Sequence, residues 1–298
     1  MIERRIELRA PLDLVTTLSP LGHGRADTTI RLAPAEAWLA FRTPDGPATL
    51  RLALESARLV RAVAWGDGAV AALDGAPALI GENDRPEDFF AQHPILRRLQ
   101  RANPGLRLPA SGRVLHALVP SVIEQKVTGT EVFRSYGALL RSHGEAAPGP
   151  MAALRLPPAP EWLAGLPYHA FHPLGLERRR ADVIRHVASR AAWLEASADA
   201  TEATRRLVSL PGIGTWTAAE VVRSAFGDPD AVSVGDYHVP NMVAWALAGE
   251  PRADDARMLQ LLEPYRGQRG RVQRYLEVGR VSAPRYGPRM APRRIATI

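Results

Sequence analysis

The sequence contains no cysteine among its 298 residues. This absence excludes disulfide bonds, thiolate metal sites, cysteine nucleophiles and cysteine-held iron–sulfur clusters. Lysine is nearly absent too: Lys126 is the only one, so a Schiff base through a lysine amine has a single candidate. No apolar run approaches the roughly 18 residues of a membrane-spanning helix. The first ten residues, MIERRIELRA, are typical of a strand rather than a signal peptide. We expect a cytoplasmic protein without a membrane partner.

The net charge of +7 is concentrated at one end of the chain. Residues 264–298 carry nine arginines and one acidic residue, Glu277, so the charge of the preceding residues is close to zero. A basic end on a nearly neutral body suits a polyanionic partner that binds one face. The alternative interpretation is a basic, disordered tail over residues 283–298.

The first part of the chain, residues 1–84, has the pattern of a β-rich domain. Apolar and polar residues alternate at Ile6–Leu8 and again at Leu50–Leu54, which indicates half-buried strands. The Pro-Asp-Gly-Pro sequence at residues 44–47 predicts a hairpin turn between two strands. We expect an antiparallel sheet with a short helix around residues 55–63.

From Arg85 onward the pattern becomes helical. Residues 86–102 begin with acids and end with bases, as the helix dipole favours, although Pro94 must break or restart the helix. Residues 114–143 carry an apolar face and predict a further helical segment. The predicted fold class is therefore α+β, with an N-terminal antiparallel sheet domain followed by helices.

The most informative stretch is residues 210–238, where a Leu-Pro-Gly-Ile-Gly turn is followed by Trp-Thr-Ala. Gly212 and Gly214 permit positive φ and close approach of another backbone. If Leu210 and Ile213 fix the turn to a core, its amides can point at an anion such as a DNA phosphate. The segments on either side that are compatible with helices are residues 202–209 and 216–226. The unit is predicted to be a helix, a hairpin and a second helix.

An isolated acid, Asp236, follows Gly214 by 22 residues in Val-Gly-Asp-Tyr. Together these features resemble the helix-hairpin-helix and Gly/Pro-Asp signature of the DNA glycosylase superfamily, most closely the DNA-3-methyladenine glycosylase II type. The resemblance implies a domain over residues 85–282 made of two all-α subdomains, one over 112–233 and the other over 85–111 plus 234–282. Some relatives hold an iron–sulfur cluster, which this cysteine-free chain cannot, and no cofactor is expected.

By this resemblance Asp236 is the catalytic carboxylate, and a helix N-cap is the competing interpretation; both can hold at once. Trp216 stands where bifunctional relatives carry a catalytic lysine, so base excision without strand cleavage is expected. Trp216, Tyr265 and Tyr237 are candidates for the base pocket, with core packing as the alternative. Glu220 departs from alkyl-purine relatives, which often have an aromatic residue there.

The hairpin and two other segments supply the candidates for DNA contact. They are Gly212, Ile213, Gly214, Thr215 and Thr217 of the hairpin, together with Gln125, Lys126 and Arg266. Residues 122–128 resemble the Ile-x-x-Gln-x-Val-Ser segment, whose residue after Gln can act as a wedge in the duplex. Lys126 is a poor apolar plug, though it could reach a phosphate, and a solvated helix end is the alternative.

Metal sites have little support in the sequence. By family analogy the carbonyls of Leu210 and Ile213 could hold a structural Na⁺ or K⁺. His169 and His172 have a spacing that a helix could turn toward one metal, but no third ligand lies near them in sequence.

The resemblance predicts a monofunctional DNA glycosylase of base excision repair. It would act as a monomer on double-stranded DNA and flip and hydrolytically excise alkylated purines of the 3-methyladenine and 7-methylguanine type. Two alternatives stay open. One is a protein that binds damaged DNA without catalysis, and the other is a lyase acting on oxidised purines, which would need Lys126 as its amine.

Overall fold

The structure is a computed structural model that describes residues 1–284 and Ile295. Most of the basic, disordered tail predicted over residues 283–298 lies outside the described residues. Within the described part of the chain, no helix combines the length and apolarity needed to cross a membrane.

The chain begins with an antiparallel sheet, as predicted. Its strands, in chain order, are β1 (Ile2–Glu7), β2 (Ile30–Ala33), β3 (Glu36–Thr43), β4 (Gly46–Ser56) and β5 (Leu59–Trp65). Their order across the sheet is β1-β5-β4-β3-β2, and every neighbouring pair is antiparallel. Strands β3 and β4 are joined by the predicted turn, with Thr43 paired to Gly46.

The prediction of a short helix around residues 55–63 is wrong. These residues end β4, turn at Ala57–Arg58 and enter β5. Val60 and Val63 are β-branched residues that pair across the sheet with β1 and are buried, so strand pairing outweighs the helical pattern. The helices of this domain are α1 (Leu14–Leu18) and α2 (Ala69–Leu79), and α2 packs on β1, β4 and β5.

The rest of the described chain is built from helices and connecting loops, with one isolated β-bridge between Ala146 and Arg155. The helices are α3 (Pro94–Ala102), α4 (Val114–Glu124), α5 (Gly129–His143), α6 (Pro160–Gly165), α7 (Tyr168–Phe171), α8 (Arg178–Ser189), α9 (Ala191–Glu195), α10 (Ala200–Val208), α11 (Thr215–Ala225), α12 (Val239–Ala248), α13 (Asp255–Leu262) and α14 (Arg269–Val278). The α+β class is thereby confirmed.

Two helix boundaries differ from the sequence pattern. Pro94 starts α3 because its fixed φ and missing N–H suit the first helical position. The segment over residues 114–143 forms two helices, α4 and α5, with a break between them. The first helix ends at Glu124, since Gln125 has a ψ of 115° and Lys126 a φ of +56°, and Thr128 begins the second through a capping box with Glu131.

The buried apolar side chains of the described residues form three large clusters. One lies within residues 6–80, between the sheet and its helices, and a second lies within residues 114–225. The third joins residues 89–106 to residues 232–276, two segments that are far apart in the chain. The predicted division into two helical subdomains stays a prediction.

Candidate active site

The turn between α10 and α11 is held from below by buried apolar side chains. Leu210 and Ile213 are nearly inaccessible and belong to the second core cluster. Gly212 has a φ of +85°, and a Cβ placed there would lie 2.5 Å from a methyl of Val183. A glycine is therefore required at this position by both conformation and space. The predicted helix-hairpin-helix unit is present.

The exposed side of the turn presents backbone groups to solvent. Gly214 caps α11, and the first amides of that helix have no partner within it. Gly212, Gly214 and Thr215 are exposed, whereas the Thr217 side chain is buried. The backbone of residues 212–215 is therefore largely accessible for the expected DNA contacts, while the Thr217 hydroxyl faces inward. The Leu210 carbonyl accepts a hydrogen bond from the Ile213 amide at 3.1 Å.

Asp236 lies in the loop between α11 and α12, and both of its carboxylate oxygens accept hydrogen bonds. Oδ1 accepts from the amides of His238 at 2.6 Å and Val239 at 2.9 Å, which caps the start of α12. Oδ2 accepts from Nε1 of Trp216 at 3.1 Å. Asp236 therefore caps a helix and is also tied to the helix that leaves the hairpin. The bond to Trp216 was not anticipated from the sequence.

The residues next to Asp236 differ in how firmly they are held. The Gly235 amide donates to both carboxylate oxygens of Asp255 at 3.0 Å, which fixes the backbone on one side. Tyr237 is 83% exposed and makes an edge-on ring contact with His238. Tyr237 is thus free to contact a ligand, and its role in a base pocket stays a prediction.

A polar network anchors the start of this loop to α11 and α14. Arg223 donates to both carboxylate oxygens of Glu277 and to Glu220. The Ser233 hydroxyl donates to Glu220, while its amide donates to the side-chain oxygen of Gln273 at 3.1 Å. Ser233 also accepts, through its carbonyl, the amide of Asp236 at 3.2 Å. The network therefore fixes the loop that carries Asp236.

The two acids of this network have opposite pKa shifts. Burial raises the pKa of Glu220, and the charge of Arg223 only partly offsets it. Burial alone would also raise the pKa of Glu277, but Arg223 and Arg274 together bring it below its usual value. Glu220 stands where alkyl-purine relatives often have an aromatic residue. Its carboxyl group is hydrogen-bonded to Arg223 and Ser233.

Gln125 links the loop between α4 and α5 to the hairpin. Its Nε2 donates to the Gly212 carbonyl at 2.9 Å and to the Thr217 hydroxyl at 3.0 Å. The Gln125 carbonyl in turn accepts from the buried guanidinium of Arg180 at 2.8 Å. Gln125 is therefore more than a solvated residue at a helix end, which was the alternative interpretation. Lys126, the next residue, is exposed beside the hairpin, and its predicted DNA contact stays a prediction.

Tyr265 and Arg266 lie in the short turn after α13. Tyr265 is buried in the third core cluster, its ring lies 6.0 Å from Phe89, and its hydroxyl accepts the His93 amide at 3.1 Å. Burial raises the pKa of its phenol. Arg266 is exposed and pairs with Glu263 at 2.6 Å. Tyr265 has the contacts of a packing residue, and a role for it in the base pocket stays a prediction.

The described residues contain no group of three His, Cys, Asp or Glu side chains placed to hold a metal ion. His169 and His172 thus lack the third ligand that a site would need. The carbonyls of Leu210 and Ile213 are backbone groups, and their binding of a monovalent cation stays a prediction.

Comparison with known proteins yields sequence relatives and solved structures, although no family model matches the chain. A probable bifunctional transcriptional activator/DNA repair enzyme AlkA from Mycobacterium tuberculosis is 30% identical over 145 residues, covering 48% of this chain and 29% of that protein. DNA-3-methyladenine glycosylase 2 from Escherichia coli is 27% identical over 177 residues, covering 57% of this chain and 60% of that protein. The chain thus spans less than two thirds of these curated relatives.

The fold is similar to that of a 3-methyladenine DNA glycosylase from Archaeoglobus fulgidus. The TM-score is 0.76 at 19% identity, with 92% of this chain and 97% of that chain covered. The chain therefore has the fold of the helix-hairpin-helix DNA glycosylases. The expected resemblance to the DNA-3-methyladenine glycosylase II type is confirmed by the similarity to these two sequence relatives, at modest identity.

Proposed function

We propose that this protein is a monofunctional DNA glycosylase that flips and hydrolytically excises alkylated purines from double-stranded DNA, as part of base excision repair. The observation that carries the proposal is the position of Asp236. Its carboxylate is held by Trp216 and two backbone amides, on a loop that follows directly from the hairpin helix α11. DNA bound through its phosphates at the hairpin would therefore lie close to a fixed negative charge.

The chemistry follows from that arrangement. Breaking an N-glycosidic bond leaves positive charge on the sugar, and a carboxylate beside the sugar stabilises this charge. The same carboxylate can orient or deprotonate the attacking water. Three hydrogen bonds fix the Asp236 rotamer, so the charge needs no reorganisation when the bond breaks. Alkylated purines of the 3-methyladenine and 7-methylguanine type already carry positive charge and leave without a strong general acid.

The substitution Asp236→Asn tests the proposal. We expect excision of methylated purines to fall on the order of 10²–10⁴-fold, the usual contribution of a positioned acid or base. Binding to duplex DNA with an abasic site should persist, because the hairpin is unchanged. Released bases are measured by liquid chromatography, and binding is measured by fluorescence anisotropy.

Asp228→Asn is the matched control. Asp228 forms a turn in the same loop, with Oδ1 accepting the amides of Asp230 and Ala231 at 2.8 and 3.2 Å. We expect its loss to leave the chemistry intact. Full activity of the Asp236 variant would contradict the proposal, and abasic-site binding without base release by the native protein would favour a damage-binding protein.

The absence of lyase activity is tested separately. A lyase needs an amine to form a Schiff base, and Lys126 carries the only lysine amine in the chain. Borohydride reduction in the presence of DNA that contains an abasic site should trap no covalent complex. A trapped complex that disappears in Lys126→Ala would show that the protein has lyase activity.

A further inference from the structure

A loop of the sheet domain, residues 22–28, leads into β2 and packs on helix α5. Gly24 has a φ of +82°, and a Cβ placed there would lie 2.5 Å from the Phe133 ring. A Cβ placed on Gly137 would lie 2.6 Å from the Cβ of Ala26. The loop and the helix therefore approach each other closely at two points.

The conformation of this loop is fixed by a buried acid. Asp27 is 1% exposed, and its carboxylate accepts the amide of His23 at 2.9 Å, the amide of Thr29 at 2.8 Å and the Thr29 hydroxyl at 2.7 Å. The Asp27 amide in turn donates to the Gly24 carbonyl at 3.2 Å. Arg25 follows Gly24 and is exposed. It therefore extends from a backbone that is already ordered.

Three further exposed basic residues lie on α5 or just before it. Lys126 precedes the helix, and Arg134 and Arg141 are on it. Arg134 is three residues before Gly137 and Arg141 is four after it, so both flank the face that Ala26 covers. The four residues Arg25, Lys126, Arg134 and Arg141 form what we call the α5 patch.

The positive charge of the α5 patch is not neutralised nearby. The only acid within residues 125–144 is Glu131, which is buried and engaged with Thr128 in the capping box. Within the part of the chain that the structure describes, none of the four basic side chains forms an ion pair. Four unpaired cations close to one another are suited to a polyanion.

The α5 patch begins beside the hairpin. Gln125, which precedes Lys126, donates to the Gly212 carbonyl at 2.9 Å, so Lys126 lies next to the turn expected to bind phosphate. From Gly129, the first residue of α5, to Arg134 the helix rises by about 7–8 Å. The minor groove of DNA is about 6 Å wide. A duplex held by one strand at the hairpin could therefore meet the patch with its other strand.

We infer that the α5 patch binds phosphates of the strand complementary to the lesion strand, and that the sheet domain takes part in DNA binding through Arg25. This inference rests on the proposed function and deepens it. Phosphate oxygens accept hydrogen bonds from guanidinium and ammonium groups, and each contact releases counterions. Contacts to both strands hold the duplex in place while one nucleotide leaves the stack.

The test measures binding of Arg25→Ala, Arg134→Ala and the double variant to abasic DNA by fluorescence anisotropy at several salt concentrations. On a duplex, each substitution should weaken binding by about three- to tenfold and reduce the slope of log affinity against log salt concentration by about 1. On the same abasic strand without its complement, affinity should not change, because the strand that the patch binds is absent. Arg58→Ala, an exposed arginine in the turn between β4 and β5, is the matched control and should bind both DNAs like the native protein.

Two results would overturn the inference: unchanged affinity of the double variant for the duplex, or an equal loss of affinity for duplex and single strand, which would place the contact on the lesion strand. Urea denaturation checks that the variants are folded, which substitutions of exposed side chains should not alter. A native protein that binds abasic duplex but releases no base would instead contradict the proposed function. The binding comparison still tests the patch in that case, because it does not depend on base release.

Discussion

Asp236 illustrates how one side chain can serve structure and chemistry together. As a cap it satisfies the amides of His238 and Val239, and as a partner of Trp216 it is linked to the hairpin helix. The cap fixes the carboxylate rotamer, so the structural role supports the proposed chemical one. The two interpretations of this aspartate at the sequence level are therefore compatible.

Gly212 gives a prediction about the hairpin. Gly212→Ala places a Cβ 2.5 Å from a Val183 methyl and keeps a φ of +85°, so the free energy of unfolding should fall by about 1–3 kcal/mol. Gly214→Ala is the control, because no atom lies within 4 Å of its added Cβ and its φ is negative. Urea denaturation measures both, and equal stability of the two variants would contradict the prediction. A loss of DNA affinity in the stable Gly214 variant would indicate a phosphate close to that backbone.

His116 gives a prediction about pH. Burial lowers the pKa of its imidazole to about 4, and His23 and Arg113 act in the same direction, against Asp27. The folded protein thus holds His116 neutral, while the unfolded chain binds a proton below about pH 6.5. The free energy of unfolding should fall as the pH drops from about 6.5 to 4, by at most about 1.4 kcal/mol per pH unit from this group.

The comparison with His116→Gln isolates that contribution. Glutamine does not titrate, so the variant should lose stability less steeply over the same pH range. Urea denaturation at several pH values gives both curves. Parallel curves would contradict the assigned role of His116.

At the scale of elements, the break between α4 and α5 is the feature with the clearest consequence. Lys126 adopts a left-handed conformation, and the preceding Gln125 is turned onto the hairpin, where it bonds Gly212 and Thr217. A continuous helix could not present Gln125 in this way. The break therefore couples the loop after α4 to the turn expected to bind phosphate.

Gln125→Leu tests this coupling. The variant loses two hydrogen bonds and leaves the buried Thr217 hydroxyl without its donor, so unfolding free energy should fall by about 1–3 kcal/mol. Affinity for DNA with an abasic site should fall as well, because the turn is less firmly held. Calorimetry and anisotropy measure the two effects, and unchanged stability would show that the bonds contribute little.

Several elements could be predicted from the sequence because their signals are local. Alternation at Leu50–Leu54 predicted a strand, and the Gly-x-Gly turn predicted the hairpin between two helices. The contacts of Gln125 with Gly212 and Thr217 join residues 87 and 92 positions apart, and such pairs leave no periodic pattern. The bond between Trp216 and Asp236 escaped prediction for the same reason. The resemblance singled out Asp236 as a candidate, and only the fold shows which groups donate hydrogen bonds to it.

At the scale of the whole molecule, Asp84 joins the sheet domain to the helices. Its carboxylate forms an ion pair with the fully buried Arg271 on α14 and accepts the Leu108 amide at 3.0 Å. Asp84→Asn leaves a buried guanidinium without its counter-charge, and we expect a loss of about 3–5 kcal/mol of unfolding free energy.

Asp74→Asn is the control for that prediction. Asp74 pairs with Arg4 on the surface, where both side chains are about half exposed, and its loss should change stability by less than about 1 kcal/mol. Urea denaturation compares the two variants. Equal effects would show that burial adds nothing to the Asp84 pair.

The third core cluster also has a consequence for the order in which the chain matures. The apolar face of α3 packs against residues 232–276, which leave the ribosome roughly 130 residues after it. At about 5–20 residues per second, that interval is on the order of 10 s. The sheet domain and the cluster within residues 114–225 can form during synthesis, but α3 stays without its partner until α12 to α14 emerge. The loop that carries Asp236 is synthesised in that last stage, so a nascent chain can form the hairpin before it contains Asp236.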